Sequence, residues 1–223
     1  SVVRFWDESG GTLATVVQYG CHPTTLGFEN RLHSPDYPGA AKRFVERNLG
    51  GVCLFLQGCA GNVGPGPEGF GADVAAMRRI GETLGAAAVQ TALEIDGRSR
   101  THRFSRVVES GAPLGVWTSE ARPGDETLAA ACKTVALPLK ELPPYREAKA
   151  AYERFAEELD ELRRRRAPGE EIRDATYKVK RARIAMYNAE LYAGRKEALI
   201  EAHFIRLGDA VLAGAPLEPF AET

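Results

Sequence analysis

At 223 residues, with 44% hydrophobic and 26% charged residues, the chain can bury a core and lies near globular averages, which excludes a disordered or fibrous polypeptide. A formal net charge of -1 gives no global reason to expect nucleic acid or an anionic membrane surface as a partner. No run reaches the roughly 18 apolar residues of a membrane-spanning helix, and no signal peptide is visible.

The cysteines, Cys21, Cys53, Cys59 and Cys132, are unevenly spaced and form no CxxC pair. That pattern fits neither a disulfide framework nor a structural zinc ribbon, and it leaves the cellular compartment open. The chain begins in what reads as the middle of a domain and stops just after an apolar strand, so a fragment of a larger protein is expected.

In chain order, Thr12 to Tyr19 is rich in β-branched residues and bounded by glycines, which predicts a buried strand. A loop dense in Pro, Asn, Asp and Gly follows from Cys21 to Pro38. Pro38 then opens a predicted helix to about Asn48, with Ala41, Phe44 and Val45 on one face and Gly50-Gly51 as its stop. Gly51 to Gln57 is a continuous apolar run and predicts a central strand, in which Cys53 behaves as a small hydrophobe. A glycine-rich loop runs from Gly58 to Gly71. From Asp73, a good N-cap, a long helix is predicted to about Ile95. Its stripe of Val74, Met77, Gly81, Leu84 and Ala88 predicts close approach to a sheet. This alternation of strands and helices is that of an α/β protein.

Phe104 to Glu109 and Lys133 to Leu139 read as further strands, with a loop around Arg122-Pro123-Gly124. After Pro143-Pro144 the composition changes. Tyr145, Ala148, Tyr152, Phe155, Leu159 and Leu162 recur at steps of three and four, as do Ile172, Ala175, Val179, Ala182, Met186 and Ala189 beyond Pro168-Gly169. Such spacing predicts an antiparallel helical hairpin with a coiled-coil-like seam. Its tip, Arg163 to Arg166, reads as a solvated helix end favoured by the helix dipole, although four arginines can also attract phosphate. Finally, Ala198 to Leu207 and Ala210 to Ala213 flank Gly208-Asp209 as a β-hairpin. The expected architecture is one α/β domain over residues 1–223, a mixed sheet flanked by helices, with a protruding helical hairpin inserted at 143–196.

Three places can carry chemistry. His22, in Cys21-His22-Pro23-Thr24-Thr25, follows a buried strand, where α/β proteins place ligands and catalytic groups. It can bind a metal through one ring nitrogen, or equally satisfy loop carbonyls. The segment from Gln57 to Pro65 follows the next strand. Its small residues bring backbone amides close to a ligand, and Gln57 and Asn62 add side-chain hydrogen bonds; a tight glycine turn explains the same composition. The lysine and hydroxyl residue of a phosphate-binding P-loop are absent. Glu218 lies between Pro216 and Pro219, which fix its backbone, but a carboxylate opening a helix is the more ordinary reading of these residues alone. His33 is a further candidate for substrate contact or acid/base work, and Asp36 for ordering the loop. His102 and His203 match no motif and read as structural.

Together these segments resemble the N-terminal catalytic domain of the neutral/alkaline ceramidase family. The likeness lies in the strand-His22-Pro-Thr-Thr segment, Ser34-Pro-Asp-Tyr-Pro-Gly39 before a helix, the LQGCAGNVGP loop, and the closing IRLGDAVLAGAPLEPF. It covers about residues 1–95 and 198–223, and the helical hairpin matches no motif of the family. The resemblance implies a zinc-dependent hydrolase of an N-acyl amide, acting on a small-molecule or lipid substrate, with metal-activated water as nucleophile. It implies His22 and Glu218 as metal ligands. A second histidine would precede Ser1 and a tyrosine would follow Thr223, so this fragment holds an incomplete zinc site and is expected to be inactive alone. Gln57, Gly58, Cys59 and Gly61 would line the substrate, with His33 and Asn62 in catalytic roles. The family's loop serine is missing, for residues 54–71 contain none. That leaves two further readings: a hydrolase using Cys59 with His22, and an inert relative whose hairpin is a binding surface.

Overall fold

The β-branched run expected to be buried forms β2 (Thr12–Tyr19), the middle strand of a three-stranded sheet, in a computed structural model that describes residues 1–28, 30–98, 100–121 and 125–222. It pairs antiparallel with β1 (Val2–Trp6) and parallel with β3 (Val52–Gln57), so the sheet is mixed. The chain is an α/β structure in two units, Ser1–Glu126 with Leu217–Thr223, and Thr127–Pro216.

In the first unit, α1 (Asp36–Leu49) and α2 (Val74–Arg98) cover one face of this sheet. Val17 of β2, Val45 of α1, Cys53 of β3 and Ala88 of α2 form one core cluster; Cys21, Tyr37, Ala40 and Met77 form another. Each fully buried large apolar side chain contributes roughly 1.5–3 kcal/mol, so these clusters outweigh the intrinsic helix preferences of the segments. The carboxylate of Glu46 accepts the Cys53 amide at 2.9 Å, which ties α1 to the start of β3.

Two expectations need correction here. The close approach expected of the small residues of α2 divides between two partners: Ala88 packs with Val17 and Cys53 of the sheet, but the glycines face α1, where a Cβ on Gly81 would stand 2.4 Å from the Tyr37 carbonyl oxygen and one on Gly85 2.8 Å from Phe44 Cβ. Two helices in such close contact need glycine at the crossing. Likewise β3 is an edge strand, not a central one, and Val52, Leu54 and Leu56 on its far face are exposed. The apolar run marks a strand but does not fix its place in the sheet.

β1 and β5 (Pro113–Ala121) have no counterpart among the predicted strands. β5 pairs antiparallel with β4 (Arg100–Glu109), and Phe104 meets Trp117 edge to face with ring centres 5.6 Å apart. The loop expected at Arg122-Pro123-Gly124 lies outside the described residues.

In the second unit, β7 (Glu197–Leu207) lies between β6 (Leu128–Pro138) and β8 (Ala210–Gly214), all antiparallel, with the turn at Gly208-Asp209. The helices α3 (Tyr145–Arg164) and α4 (Gly169–Leu191) bury Ala148 and Leu159 on one side and Ala175, Ala182 and Ala189 on the other. Glu158 pairs with Lys178 at 3.6 Å and Arg165 with Glu171 at 2.8 Å. Each pair is equally spaced about the turn, as antiparallel helices require. At the tip, Arg163 faces Asp160 at 3.8 Å, so the arginine run is partly neutralised by its own helices. No helix of the described residues is long and apolar enough to cross a membrane.

Leu159 is the large side chain buried in this seam, at 5% exposure. Replacing it with Ala should lower unfolding free energy by about 2–3 kcal/mol, and Asp should cost more because a charge enters an apolar seam. Circular dichroism and a urea titration would check this. Undiminished helicity and an unchanged midpoint in Leu159→Asp would show that the seam lies elsewhere.

Candidate functional site

Parallel pairing of β2 and β3 sets Tyr19 beside Gln57, so the loops that follow both strands leave the same sheet edge. The first carries His22 and the second is the glycine loop. They are stitched by backbone: the Gly58 amide donates to the Tyr19 carbonyl and the His22 amide to the Val63 carbonyl, both at 2.9 Å. Further along, Phe70 and Gly71 donate to the carbonyls of Thr24 and Thr25 at 2.8 and 2.9 Å.

Asp36 holds the other side of the His22 loop. It is buried, and its carboxylate accepts the amides of Leu26 at 2.9 Å, Tyr37 at 2.7 Å and Thr25 at 3.3 Å. Its φ of 51° lies in the left-handed region, which aspartate tolerates better than most residues. The neighbouring Tyr37 donates its phenol hydroxyl to the Cys21 carbonyl at 2.5 Å, and Gln57 donates its side-chain amide to the same oxygen at 3.1 Å. Burial pushes the Tyr37 phenol well above its ordinary range, with the nearby Cys21 adding to the effect, so the hydroxyl stays a donor.

Glu218 arrives from another sheet. The expectation that it and His22 follow neighbouring parallel strands fails, because β8 belongs to the β6–β7–β8 sheet. Nor does Glu218 open a helix; the described residues after β8 form none. What brings it in is docking of its segment on the glycine loop. The Gly61 amide donates to the Pro219 carbonyl at 2.9 Å. A Cβ on Gly61 would stand 2.3 Å from the Phe220 ring and 3.1 Å from the Glu218 carbonyl, so only glycine admits this approach. Asn62 adds a clamp: its amide donates to both Glu222 carboxylate oxygens at 2.9 and 2.8 Å and accepts the Ala221 amide at 2.9 Å.

The result is a contact between His22 Nε2 and Glu218 Oε1 at 3.0 Å, with the two side chains 34% and 69% exposed. At such exposure an ion pair contributes no more than about 1 kcal/mol, so stability does not explain the juxtaposition. An imidazole nitrogen and a carboxylate oxygen are both zinc donors. Two donors sharing a tetrahedral zinc stand roughly 3.3 Å apart, so this pair fits a common metal after a shift of a few tenths of an ångström.

Other candidate residues take varied places. The space above Gly58 is filled by Gln18, whose Nε2 lies 2.1 Å from where a Cβ would be, and the space above Gly61 by Phe220. At both positions, then, the room expected for a ligand admits protein atoms. Gln57 and Asn62 spend the hydrogen bonds described above on neighbouring loop segments. Cys59 is exposed. His33 is exposed in the loop before α1, and among the described residues no hydrogen bond or ion pair joins it to the His22–Glu218 pair.

Within the second unit, Cys132, Glu201 and His203 each offer one ligand atom within 4.8 Å of the others. In the sequence His203 reads as structural, and Cys132 belongs to no motif. The Glu-Ala-His spacing was a visible cue to two of the three, since alternate strand residues share a face. Cys132 needs the strand register.

No family model matches the chain. No curated protein matches it either. Among solved structures, it is similar to the neutral ceramidase from Pseudomonas aeruginosa at 20% identity, over 97% of this chain and 34% of that one, with a TM-score of 0.45. A ceramidase complexed with C2 aligns at 19% identity over 97% of this chain and 36% of that one, with a TM-score of 0.44. The chain thus spans about a third of the length of these proteins.

Replacing Gly61 with Val should dislodge the 217–222 segment. Chymotryptic cleavage after Phe220, followed by mass spectrometry, should then accelerate by about tenfold, equivalent to roughly 1.4 kcal/mol of lost local stability. An unchanged rate would mean that the glycine approach does not hold the segment.

Proposed function

We propose that the chain is part of a zinc-dependent hydrolase of an N-acyl amide bond, ceramidase-like in chemistry, with His22 and Glu218 as two of the metal's ligands. The observation that carries this reading is the 3.0 Å approach of His22 Nε2 to Glu218 Oε1, two side chains nearly two hundred residues apart in sequence and of the types that zinc takes. The resemblance of the motif segments supports it, because the first three of them and the Leu217–Phe220 end of the fourth surround the place where the pair meets.

A zinc ion held there would supply Lewis acidity toward the amide carbonyl and make a bound water acidic near neutral pH. The chain's own residues have separate tasks. His22 is fixed through its backbone amide, which leaves its ring free to present Nε2 outward. Glu218 brings negative charge that offsets part of the cation's. Asn62 is a positioning residue that acts through Glu222 and Ala221 on the segment bearing Glu218. Gln57, Gly58, Cys59 and Gly61 border the approach to the pair, and His33 stays the candidate for proton transfer. The substrate would be a small-molecule or lipid N-acyl compound.

In the intact protein, His22→Ala should remove stoichiometric zinc and lower amidase turnover by more than about 100-fold, beyond the loss usual for an outer-shell partner. Glu218→Gln should do the same, and chelation should silence the wild type. Cys59→Ser should leave both metal and activity largely intact. The reverse pattern, with chelator-resistant activity abolished by Cys59→Ser, would mean a thiol nucleophile. An intact protein with neither zinc nor activity on any N-acyl substrate would exclude both enzyme readings.

A further inference from the structure

On the second unit's sheet, β7 alternates cleanly. Ala202 is buried and Ala198, Ile200 and Phe204 are half-buried on one face, while Leu199, Glu201, His203 and Ile205 are exposed on the other. The register sets Cys132 of β6 directly opposite His203, and Glu201 two residues earlier on the exposed face. Directly opposed side chains on an antiparallel pair have Cβ atoms about 4.5–5.5 Å apart, and a long side chain reaches its diagonal neighbour. The three therefore converge, each with one ligand atom within 4.8 Å of the other two.

Three features separate this cluster from ordinary surface polarity. Its side chains form no hydrogen bond or ion pair with any described residue, so the sulfur, nitrogen and oxygen donors are uncommitted. On the third strand, the residue opposite His203 is Gly214, and no atom lies within 4 Å of where its Cβ would stand. The flank of the imidazole is therefore open. Finally, the donor set is mixed. Magnesium and calcium prefer oxygen alone, whereas a thiolate with an imidazole suits zinc or a similar borderline ion.

We propose that Cys132, Glu201 and His203 form a metal site for a zinc-class divalent ion, separate from the His22–Glu218 pair and independent of its role. Donors sharing a tetrahedral zinc lie roughly 3.3–3.7 Å apart, so the cluster closes by side-chain rotation of about 1 Å with the strands unmoved. Binding forms a metal–sulfur bond and releases the Cys132 thiol proton to solvent; nothing is oxidised. Exposure leaves a fourth position to water.

Cobalt(II) is the probe of choice, because a thiolate ligand gives it a near-ultraviolet charge-transfer band. Titrated into the reduced, chelator-stripped chain, it should produce that band at one equivalent, and added zinc should abolish the band by displacement. Cys132→Ser should remove it. His203→Ala and Glu201→Gln should each weaken cobalt binding by about tenfold or more. Cys59→Ser and His22→Ala should leave the band in place, since neither residue belongs to this cluster. As a second reading with zinc itself, the metal should slow alkylation of Cys132 by about tenfold, and His203→Ala should cancel that protection. Absence of the band in the wild type, its survival in Cys132→Ser, or Cys132 alkylation indifferent to zinc would each overturn the proposal.

Discussion

Gly61 has no side chain, and Phe220 fills the space a β-carbon would take. The geometry around His22 depends on that contact. Glu218 sits in a stretch without regular structure, so no helix or strand aims it. An exposed carboxylate–imidazole pair is too weak, at about 1 kcal/mol or less, to hold a free segment against its conformational entropy. The holding comes instead from the Gly61–Pro219 backbone bond, the Phe220 contact and the Asn62 clamp on Ala221 and Glu222. The pair is a consequence of the docking rather than its cause.

The histidine side of the pair is built differently. A buried carboxylate is costly unless it is hydrogen-bonded, and Asp36 meets that cost with three backbone amides. One of these belongs to the helix it begins and two to the loop that carries His22. The loop's conformation is thereby coupled to α1, and α1 is locked against α2 by the glycine approach at Gly81 and Gly85. Rigidity thus passes from a helix crossing to an imidazole with no direct contact between them. A flexible loop would present the same ring with far less precision.

How much of this could be read from residues alone follows the range of the interaction. The strands β2 and β3 and all four helices announce themselves by local period and punctuation, and each lies within a few residues of its expected place. Partners are harder. Gly81 reads as a small residue on a packed stripe, yet nothing local says whether a sheet or a helix will approach it. The run Val52 to Gln57 reads as a strand, but its edge position depends on what pairs with it. The convergence of His22 and Glu218 could be expected only from the resemblance of whole segments, and even then the route proposed, neighbouring parallel strands, was not the one taken. Cys132 and His203 meet through a register that no motif encodes.

Burial sorts the thiols into two kinds, and this bears on which chemistry the chain can support. Burial pushes the Cys53 thiol up to about 11, with Glu46 nearby adding to the shift. It raises the Cys21 thiol as well, an effect Asp36 reinforces and the hydrogen bond with Tyr37 opposes. Both stay protonated at neutral pH and act as small core residues, since the thiolate is the form that attacks or ligates. The exposed pair, Cys59 and Cys132, is left for chemistry. A nucleophile at Cys59 needs a neighbouring base or a helix N-terminus to generate its thiolate. His22, on the neighbouring loop after β2, is the base such a mechanism would call on, but the Nε2 of that ring is already engaged with Glu218. Cys132 has a different neighbourhood, with an imidazole across the strand pair and a carboxylate one diagonal away. There nitrogen and oxygen donors lie within 4.8 Å of the sulfur on one exposed face, three atoms of the types a zinc-class cation takes. The two exposed thiols therefore differ in what surrounds them: Cys132 shares its strand face with two further donor side chains, whereas Cys59 belongs to the glycine loop on which the Glu218 segment docks.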